Sequence, residues 1–216
     1  MTMTTTSADD LILVRHGETV GNSSIRYYGA TDVALSPIGE AQMTRVGEAL
    51  RGERFERVIA STLGRSRRGA AIVRAALAPP APPLVVVANL RERDFGAWEG
   101  WTAEEIAARD PEGHRAWIAS GPDFRYPGGE SRHEVHARVG EALAGLDLAG
   151  GGRTLAVLHK GIIKVILRAL LGLGEAEAAA LPVALGSVHR LARGGGGWRL
   201  TSANEVAHLG DLDLGG

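Results

Sequence analysis

An arginine and a histidine stand side by side where an apolar run ends, in the stretch LILVRHGET at residues 11–19. Arginine presents a planar fork of N–H donors that matches the oxygens of a phosphate group. A neutral imidazole is a nucleophile that can form a covalent intermediate. Arg15 and His16 are therefore candidates for holding an anionic group and for attacking it.

Further polar side chains follow the other predicted strands. In a sheet of parallel strands the carboxyl ends meet at one edge, and ligands bind there. We therefore expect the side chains that follow these strands to gather at a common rim. The residues in question are Arg15, His16, Ser61, Arg65, Arg91, Glu92 and His159.

This set of residue types favours a phosphate site over a metal site. Arginines would repel a cation, and the set lacks the further carboxylates that a metal would need. A phosphoryl group in transfer carries negative charge on its equatorial oxygens, which guanidinium donors can hold. The loss of one such donor typically costs on the order of 3 kcal/mol of transition-state stabilisation. His133 and His136 lie three apart on a predicted helix without a third ligand, so we interpret them as part of a solvated face.

The order of predicted elements indicates an α/β fold. Strands alternate with helices, so we expect a three-layer α/β/α sandwich with a mostly parallel central sheet. Ser36 is a suitable N-cap for the first helix, with Pro37 at its first position and Glu40 placed to close a capping box. The predicted strands span 11–16, 57–61, 84–90 and 154–159, and the predicted helices span 36–52, 65–77, 131–147 and 160–172.

Two segments depart from this alternation. Residues 91–130 form a long polar and aromatic stretch with short helical pieces, and loops of this size inside a compact domain are usually functional. Near the end of the chain, four glycines at 194–197 join two predicted strands into an antiparallel hairpin. The apolar run at 84–90 is typical of a buried strand.

Composition limits the classes of partner. The 216 residues are 44% hydrophobic and carry 24 basic against 25 acidic side chains, so no overall field draws the chain to nucleic acid or a membrane. We expect a cytoplasmic protein with one domain over residues 11–210, preceded by a disordered leader at 1–10. The absence of cysteine excludes a thiolate nucleophile and Cys-ligated zinc.

Six segments, taken in order, resemble the signature segments of the histidine phosphatase superfamily, also called phosphoglycerate mutase-like. The likeness covers most of the chain and is strongest to the bacterial phosphatase branch that includes α-ribazole phosphatases. The segments are LVRHGET, RYYGATDVALSPIGEAQ, STLGRS, LRERDFGAWEG, PGGES and VLHKG. Thr62 and Ser66 depart from the residues that are common in the family at these positions.

The resemblance implies a role for each matching residue. His16 would accept the phosphoryl group, and Glu92 would donate a proton to the leaving oxygen. The phosphate pocket would be formed by Arg15, Arg65 and His159. Further phosphate or substrate contacts are implied for Asn22, Arg26, Tyr28, Gly29 and Lys160. Neither a metal nor an organic cofactor is implied.

The resulting hypothesis is a phosphomonoesterase that hydrolyses a small phosphorylated metabolite through a phosphohistidine. The alternatives are a cofactor-dependent phosphoglycerate mutase, and a non-catalytic module that binds a phosphorylated ligand. Glu99 competes with Glu92 for the role of acid, although its place between Trp98 and Gly100 suits a structural turn. Whether the aromatic residues belong to the core or to the substrate wall stays open for Tyr27, Tyr28, Trp98 and Trp101.

Overall fold

A six-stranded mixed sheet forms the centre of the molecule. The computed structural model describes residues 10–21, 25–121, 124–148 and 152–212, so the predicted leader and Asn22 lie outside the described residues, apart from residue 10. The strands are β1 (Leu11–Arg15), β2 (Arg57–Ala60), β3 (Leu84–Val86), β4 (Thr154–Leu158), β5 (Val188–Gly194) and β6 (Gly197–Glu205). Their order across the sheet is β3-β2-β4-β1-β5-β6. Strands β1 to β4 are mutually parallel, and β5 and β6 add the predicted antiparallel hairpin.

Helices cover both faces of the sheet, which confirms the predicted α/β fold. They are α1 (Pro37–Ala49), α2 (Gly64–Ala76), α3 (Ala103–Arg109), α4 (Pro111–Ser120), α5 (Arg132–Gly145), α6 (Lys160–Leu171) and α7 (Glu175–Ala180). None of the helices in the described part of the chain is both long enough and apolar enough to cross a membrane.

The alternation of side chains along β1 builds the two halves of the core. Ile12 and Val14 pack with residues of α1 and α2, whereas Leu11 and Leu13 pack with residues of α5 and α6. Successive side chains of a strand point to opposite faces, so a strand covered on both faces is apolar at every position. This is why the run before Arg15 shows no polar alternation.

Two local expectations are wrong. The run predicted as a buried strand at 84–90 is strand only over Leu84–Val86, and this strand forms an edge of the sheet at which Val86 is half exposed. At the start of α1, Ser36 Oγ does accept a hydrogen bond from the Gly39 N–H (3.0 Å). Glu40, however, lies one residue too late for a capping box and pairs with Arg68 on α2 instead.

The segment between β3 and α5 folds over the rim of the sheet. After a short 3-10 turn at Ala88–Leu90, it contains a second such turn at Gly96–Trp98, followed by α3 and α4. We call residues 91–131 the insert. Its apolar residues form a cluster separate from the two halves of the main core, centred on Trp98, Ile106 and Tyr126. The insert therefore has its own small core, which lets it act as a stable wall above the sheet.

The loop after β1 lies directly against the first turn of α1. A Cβ atom built on Gly39 would come within 2.0 Å of the Glu18 carbonyl oxygen, and one built on Gly17 would come within 2.3 Å of the Gly39 carbonyl oxygen. In both cases the obstructing atom is a backbone carbonyl oxygen, which cannot rotate away as the end of a side chain could. The absence of side chains at Gly17 and Gly39 therefore fixes the position of the loop that follows His16.

Two helical glycines should respond to alanine with opposite signs. Gly39→Ala should lower the free energy of unfolding by about 1 to 3 kcal/mol, because the added methyl group overpacks a backbone contact. Gly140→Ala in α5 should raise it by roughly 0.5 to 1 kcal/mol, because nothing lies within 4 Å of a Cβ there and alanine favours the helix. Urea unfolding of both variants provides the measurement, and a stabilised Gly39→Ala would contradict the described contact.

Candidate active site

A cavity of about 760 Å³ opens where the carboxyl ends of β1 and β4 face the insert. This volume lies within the range of small-molecule sites. Both strand ends and the insert contribute to its wall. The sequence-predicted residues that line it are Arg15, His16, Arg26, Tyr28, Glu92 and Lys160.

His16 is buried at the floor of the cavity, and its ring orientation is fixed. Its Nδ1–H donates a hydrogen bond to the carbonyl oxygen of Gly17 (2.7 Å), so Nε2 is the nitrogen that keeps a lone pair. Burial, followed by the positive charges of Arg65 and Arg15, holds the pKa of His16 well below its ordinary value. The imidazole is therefore neutral at neutral pH, as a nucleophile must be.

His159 faces His16 with a distance of 5.2 Å between the ring centroids. Its Nε2 hydrogen-bonds Ser61 Oγ (2.7 Å), and that same hydroxyl accepts the N–H of Leu63 (3.2 Å). If the Ser61 hydroxyl donates to Nε2, the hydrogen of the neutral ring is on Nδ1. Within the described residues His159 Nδ1 is buried and has no hydrogen-bond partner, so it is available to a ligand. The sequence predicts Ser61 at the rim but indicates no role for it.

Arg15 is a buried cation that is only partly bonded to the protein. Its guanidinium donates to the carbonyl oxygen of Val183 (2.7 Å), while its buried Nε has no acceptor among the described residues. Burial lowers the pKa of Arg15 to about 10, against the opposing effect of Glu92. Arg15 therefore stays charged at neutral pH and retains an N–H group for an anion.

Arg65 is almost completely buried and braces a loop. Its guanidinium donates to the carbonyl oxygens of Thr31 (2.8 Å), Gly29 (2.7 Å) and Tyr28 (3.2 Å). Three carbonyl groups hold the positive charge in place without neutralising it. Burial lowers the pKa values of His16 and His159, and the positive charge of Arg65 lowers both further.

Glu92 is buried across the cavity, with both carboxyl oxygens bonded to backbone groups. Oε1 accepts the N–H of Arg93 (2.9 Å) and Oε2 accepts the N–H of Gly161 (2.9 Å). The segment before it is held by Arg138 of α5, which donates to the carbonyl oxygens of Arg91 (2.8 Å) and Glu92 (3.2 Å). The orientation of Glu92 is therefore set by Gly161 of α6, which binds its carboxyl group, and by Arg138 of α5, which binds its carbonyl group.

Arg91 does not join the rim, although it follows the third strand. Its guanidinium makes a two-pronged pair with Glu130 (2.8 and 2.9 Å), which also binds Arg138. Burial alone would raise the pKa of Glu130, but the hydrogen bonds from Arg138 and Arg91 outweigh it and lower that pKa to about 2. The stretch between β3 and Glu92 contains a turn at Ala88–Leu90, which rotates Arg91 away from the cavity.

Glu99 occupies a structural position. Its carboxylate accepts the N–H groups of Gly29, Ala30, Thr31 and Phe95 at 2.9 to 3.2 Å. These bonds tie the loop beneath the cavity to the insert. Glu99 is thus fully occupied by backbone donors, in keeping with the turn role that its sequence context suggests.

The remaining predicted contacts differ in their surroundings. Arg26 lines the cavity but also pairs with Glu105 (2.9 Å). Gly29 has its N–H bonded by Glu99 and its carbonyl by Arg65, and a Cβ there would come within 1.7 Å of the Arg93 carbonyl oxygen. Lys160 begins α6 at the cavity edge, where partial burial and then Arg15 lower its pKa.

Some of the aromatic residues line the cavity, and several of these also belong to the core of the insert. Tyr27 and Tyr28 line the cavity, together with Phe95 and Tyr126. Trp98 is buried in the core of the insert, where its Nε1–H donates to Asp110 (2.9 Å), and Trp101 packs against the same cluster. Tyr28 therefore belongs to the cavity wall and the two tryptophans to packing, whereas Tyr27 does both, because it lines the cavity and also packs against the cluster of the insert.

The two histidines of α5 are not equivalent. His133 is exposed, but His136 is half-buried and accepts a hydrogen bond from Arg168 on α6 (3.1 Å), so the prediction of a solvated face is wrong for His136. The described residues contain no group of three or more His, Cys, Asp or Glu side chains that could hold a metal ion.

Comparison with known proteins identifies the family. The pattern of the histidine phosphatase superfamily (branch 1) matches residues 11–206. The chain belongs to this superfamily. A curated relative, the probable phosphoglycerate mutase GpmB of Erwinia tasmaniensis, is 34% identical over 208 residues, which cover 94% of this chain and 95% of the relative.

Solved structures with the same fold include proteins described as phosphatases. A putative alpha-ribazole-5'-P phosphatase from Escherichia coli K-12 superimposes with a TM-score of 0.83 at 26% identity, over 92% of this chain and 97% of that one. A mycobacterial glucosyl-3-phosphoglycerate phosphatase superimposes with a TM-score of 0.75 at 30% identity, over 91% of this chain and 98% of that one. The resemblance read from the six segments is confirmed, while the relatives divide between phosphatase and mutase names.

Proposed function

We propose that the protein is a phosphomonoesterase that hydrolyses a small phosphorylated metabolite through a phosphohistidine at His16. The observation that carries the proposal is the environment of His16: a neutral, oriented imidazole buried between two arginines at the floor of a cavity, with Glu92 across from it. A module that only binds a phosphorylated ligand needs neither an oriented nucleophile nor a carboxyl group at this place. The arrangement therefore favours catalysis over binding alone.

In the first chemical step, His16 Nε2 attacks the phosphorus atom and the bond to the leaving oxygen breaks. Glu92 gives its proton to that oxygen, so the product leaves as a neutral alcohol. In the second step Glu92 takes a proton from water, and the resulting hydroxide breaks the phosphorus–nitrogen bond. Inorganic phosphate is released, and His16 and Glu92 return to their starting protonation states.

Three groups would hold the phosphoryl oxygens during both steps. Arg15 Nε and His159 Nδ1 are buried and have no partner in the described part of the chain, and Arg65 adds its charge from below. Donors and charges that are already in place cost no reorganisation as negative charge develops. The proton on His159 Nδ1 would be maintained by the Ser61 hydroxyl, which makes Ser61 a positioning residue.

The phosphoglycerate mutase reaction is the second candidate, favoured by the names of curated relatives such as GpmB of Erwinia tasmaniensis. A mutase must keep water from its phosphohistidine and rebind the dephosphorylated product in a second orientation. The cavity of about 760 Å³ has room for water beside a small substrate, and Tyr27, Tyr28 and Phe95 supply aromatic walls. These features support hydrolysis, and the substrate class they fit is a phosphomonoester with an apolar or ring-shaped portion.

The covalent intermediate provides the direct test. After rapid quenching with a radiolabelled phosphomonoester, wild-type protein should carry acid-labile, base-stable phosphate, as expected for phosphohistidine. His16→Ala should carry none and should lose turnover, because His16 is the only histidine among the described residues that line the cavity. Retention of more than a few per cent of kcat by a folded His16→Ala protein would rule out the covalent mechanism.

A matched pair of carboxyl variants tests the proton donor. Glu92→Gln should slow the hydrolysis of alkyl phosphates by roughly 10² to 10⁴-fold, because a poor leaving group needs the proton. An aryl phosphate with an acidic leaving group should be slowed much less. Glu99→Gln is the control, since its carboxylate binds backbone groups and should change stability more than leaving-group dependence. Equal losses of Glu92→Gln on both substrate types would exclude the proposed role.

Hydrolysis and isomerisation can be separated with one substrate. When 3-phosphoglycerate is supplied with a bisphosphoglycerate primer, any conversion should yield glycerate and inorganic phosphate, because water reaches the phosphohistidine. The assay follows phosphate release and 2-phosphoglycerate formation in the same sample. Isomerisation that outpaces hydrolysis would replace the proposal with the mutase reaction.

A further inference from the structure

A second cavity, of about 220 Å³, lies between α5, α6 and α7 on the side of the catalytic cavity that contains Glu92. Four cationic side chains contribute to its wall: Arg93, Arg132, Lys164 and Arg168. One carboxylate, Glu175, also lines it, and this group is paired with Arg132. The excess of positive charge makes an anionic group the expected ligand.

The polar groups around this second cavity are predominantly hydrogen-bond donors. Arg93 Nε and Arg168 Nε are buried, and neither has an acceptor among the residues that the structure describes. Arg168 also donates to His136 Nδ1 (3.1 Å), which leaves that ring a hydrogen on Nε2 in its neutral form. Burial, followed by Arg168 and Arg93, lowers the pKa of His136 to about 4 and keeps the ring neutral at neutral pH.

The second cavity adjoins the proton donor. Arg93 and Gly161 line both cavities, and their backbone N–H groups are the two that hold the carboxyl group of Glu92. In the proposed mechanism Glu92 protonates the leaving oxygen, so the alcohol portion of the substrate departs on this side. A substituent on that alcohol would therefore be directed toward Arg93 and the cavity behind it.

We propose that the second cavity binds a second anionic group, a phosphate in particular, carried by the alcohol portion of the substrate. The substrate class would then be a bisphosphorylated metabolite of which one phosphate is removed and the other retained. This inference rests on the proposed function for the direction in which the alcohol leaves. Anion binding in the cavity rests on the cationic side chains alone.

Binding to an inactive protein tests the inference without turnover. Alkanediol bisphosphates of increasing chain length, and the monophosphates of the same diols, are titrated calorimetrically into His16→Ala. At the chain length that spans both cavities, the bisphosphate should bind about 10- to 100-fold more tightly than the monophosphate of the same diol. This is the gain expected from added hydrogen bonds between charged groups. The additional substitutions Lys164→Gln and Arg168→Gln, made separately and checked by melting temperature, should each remove most of this advantage.

The matched control is Arg45→Gln, which removes the same charge from an exposed position on α1 and should leave the advantage intact. In the active protein, Lys164→Gln and Arg168→Gln should hydrolyse p-nitrophenyl phosphate at close to the wild-type kcat/KM. The same variants should lose about tenfold or more in kcat/KM for the bisphosphate. A loss of the same size on both substrates would mean that the variants damage the catalytic cavity, and would overturn the inference.

The other outcomes are equally decisive. If bisphosphates gain nothing at any chain length, the inference is wrong. It is also wrong if inorganic phosphate occupies a second site that Arg168→Gln abolishes while bisphosphates gain nothing, because the cavity then binds a separate anion. If no phosphomonoester is hydrolysed but the Lys164-dependent advantage persists, the proposed function fails and the anion site stands.

Discussion

The site depends on burying positive charge without neutralising it. Arg15 and Arg65 are almost completely excluded from water, and the protein groups that hold them are carbonyl oxygens of Val183 and of the loop at residues 28–31. Carbonyl dipoles satisfy the N–H groups but leave the net charge. Burial, followed by that charge, lowers the pKa of His16 and keeps its ring neutral. The same charge favours a ligand that brings two negative charges into the cavity.

The loop at residues 28–31 is the clearest structural consequence of this constraint. Arg65 takes its carbonyl groups and Glu99 takes its N–H groups, so that its backbone is bonded from both sides by oppositely charged side chains. The loop links the main sheet, through Arg65, to the insert, through Glu99. Close approach at Gly29, where a Cβ would collide with the Arg93 carbonyl, completes this arrangement. These contacts join the insert to the main sheet beside the cavity.

The insert supplies a part of the cavity wall that is separate from the buried charges of the main sheet. The groups proposed to hold the phosphate come from strand ends and helix starts of the main sheet, whereas much of the cavity wall comes from the insert and from Tyr27 and Tyr28. Trp98 and the aromatic side chains around it give the insert a core of its own. Changes in wall residues can thus alter substrate preference without disturbing the buried charges, which is consistent with relatives that have phosphatase names and others that have mutase names.

The sequence by itself determined the layer order and most of the polar residues that gather at the rim of the sheet. The mostly parallel sheet and the hairpin were predictable from apolar runs, helix caps and turn residues, because these are local signals in the sequence. The residues at the predicted strand ends were sufficient to predict the group formed by Arg15, His16, Glu92 and His159. The role of Arg65 in supporting a loop was not predictable, since it depends on carbonyl groups more than thirty residues away.

Only the tertiary structure decided which neighbouring residue points where. Arg91 and Glu92 are adjacent in sequence, yet Arg91 pairs with Glu130 while Glu92 lines the cavity that also contains His16. A turn after β3 and the hydrogen bonds from Arg138 set their directions. The same holds for the exposed edge strand β3, whose apolar run looks like a buried strand. Burial and side-chain direction result from packing between distant segments, and packing of that kind leaves no local pattern in the sequence.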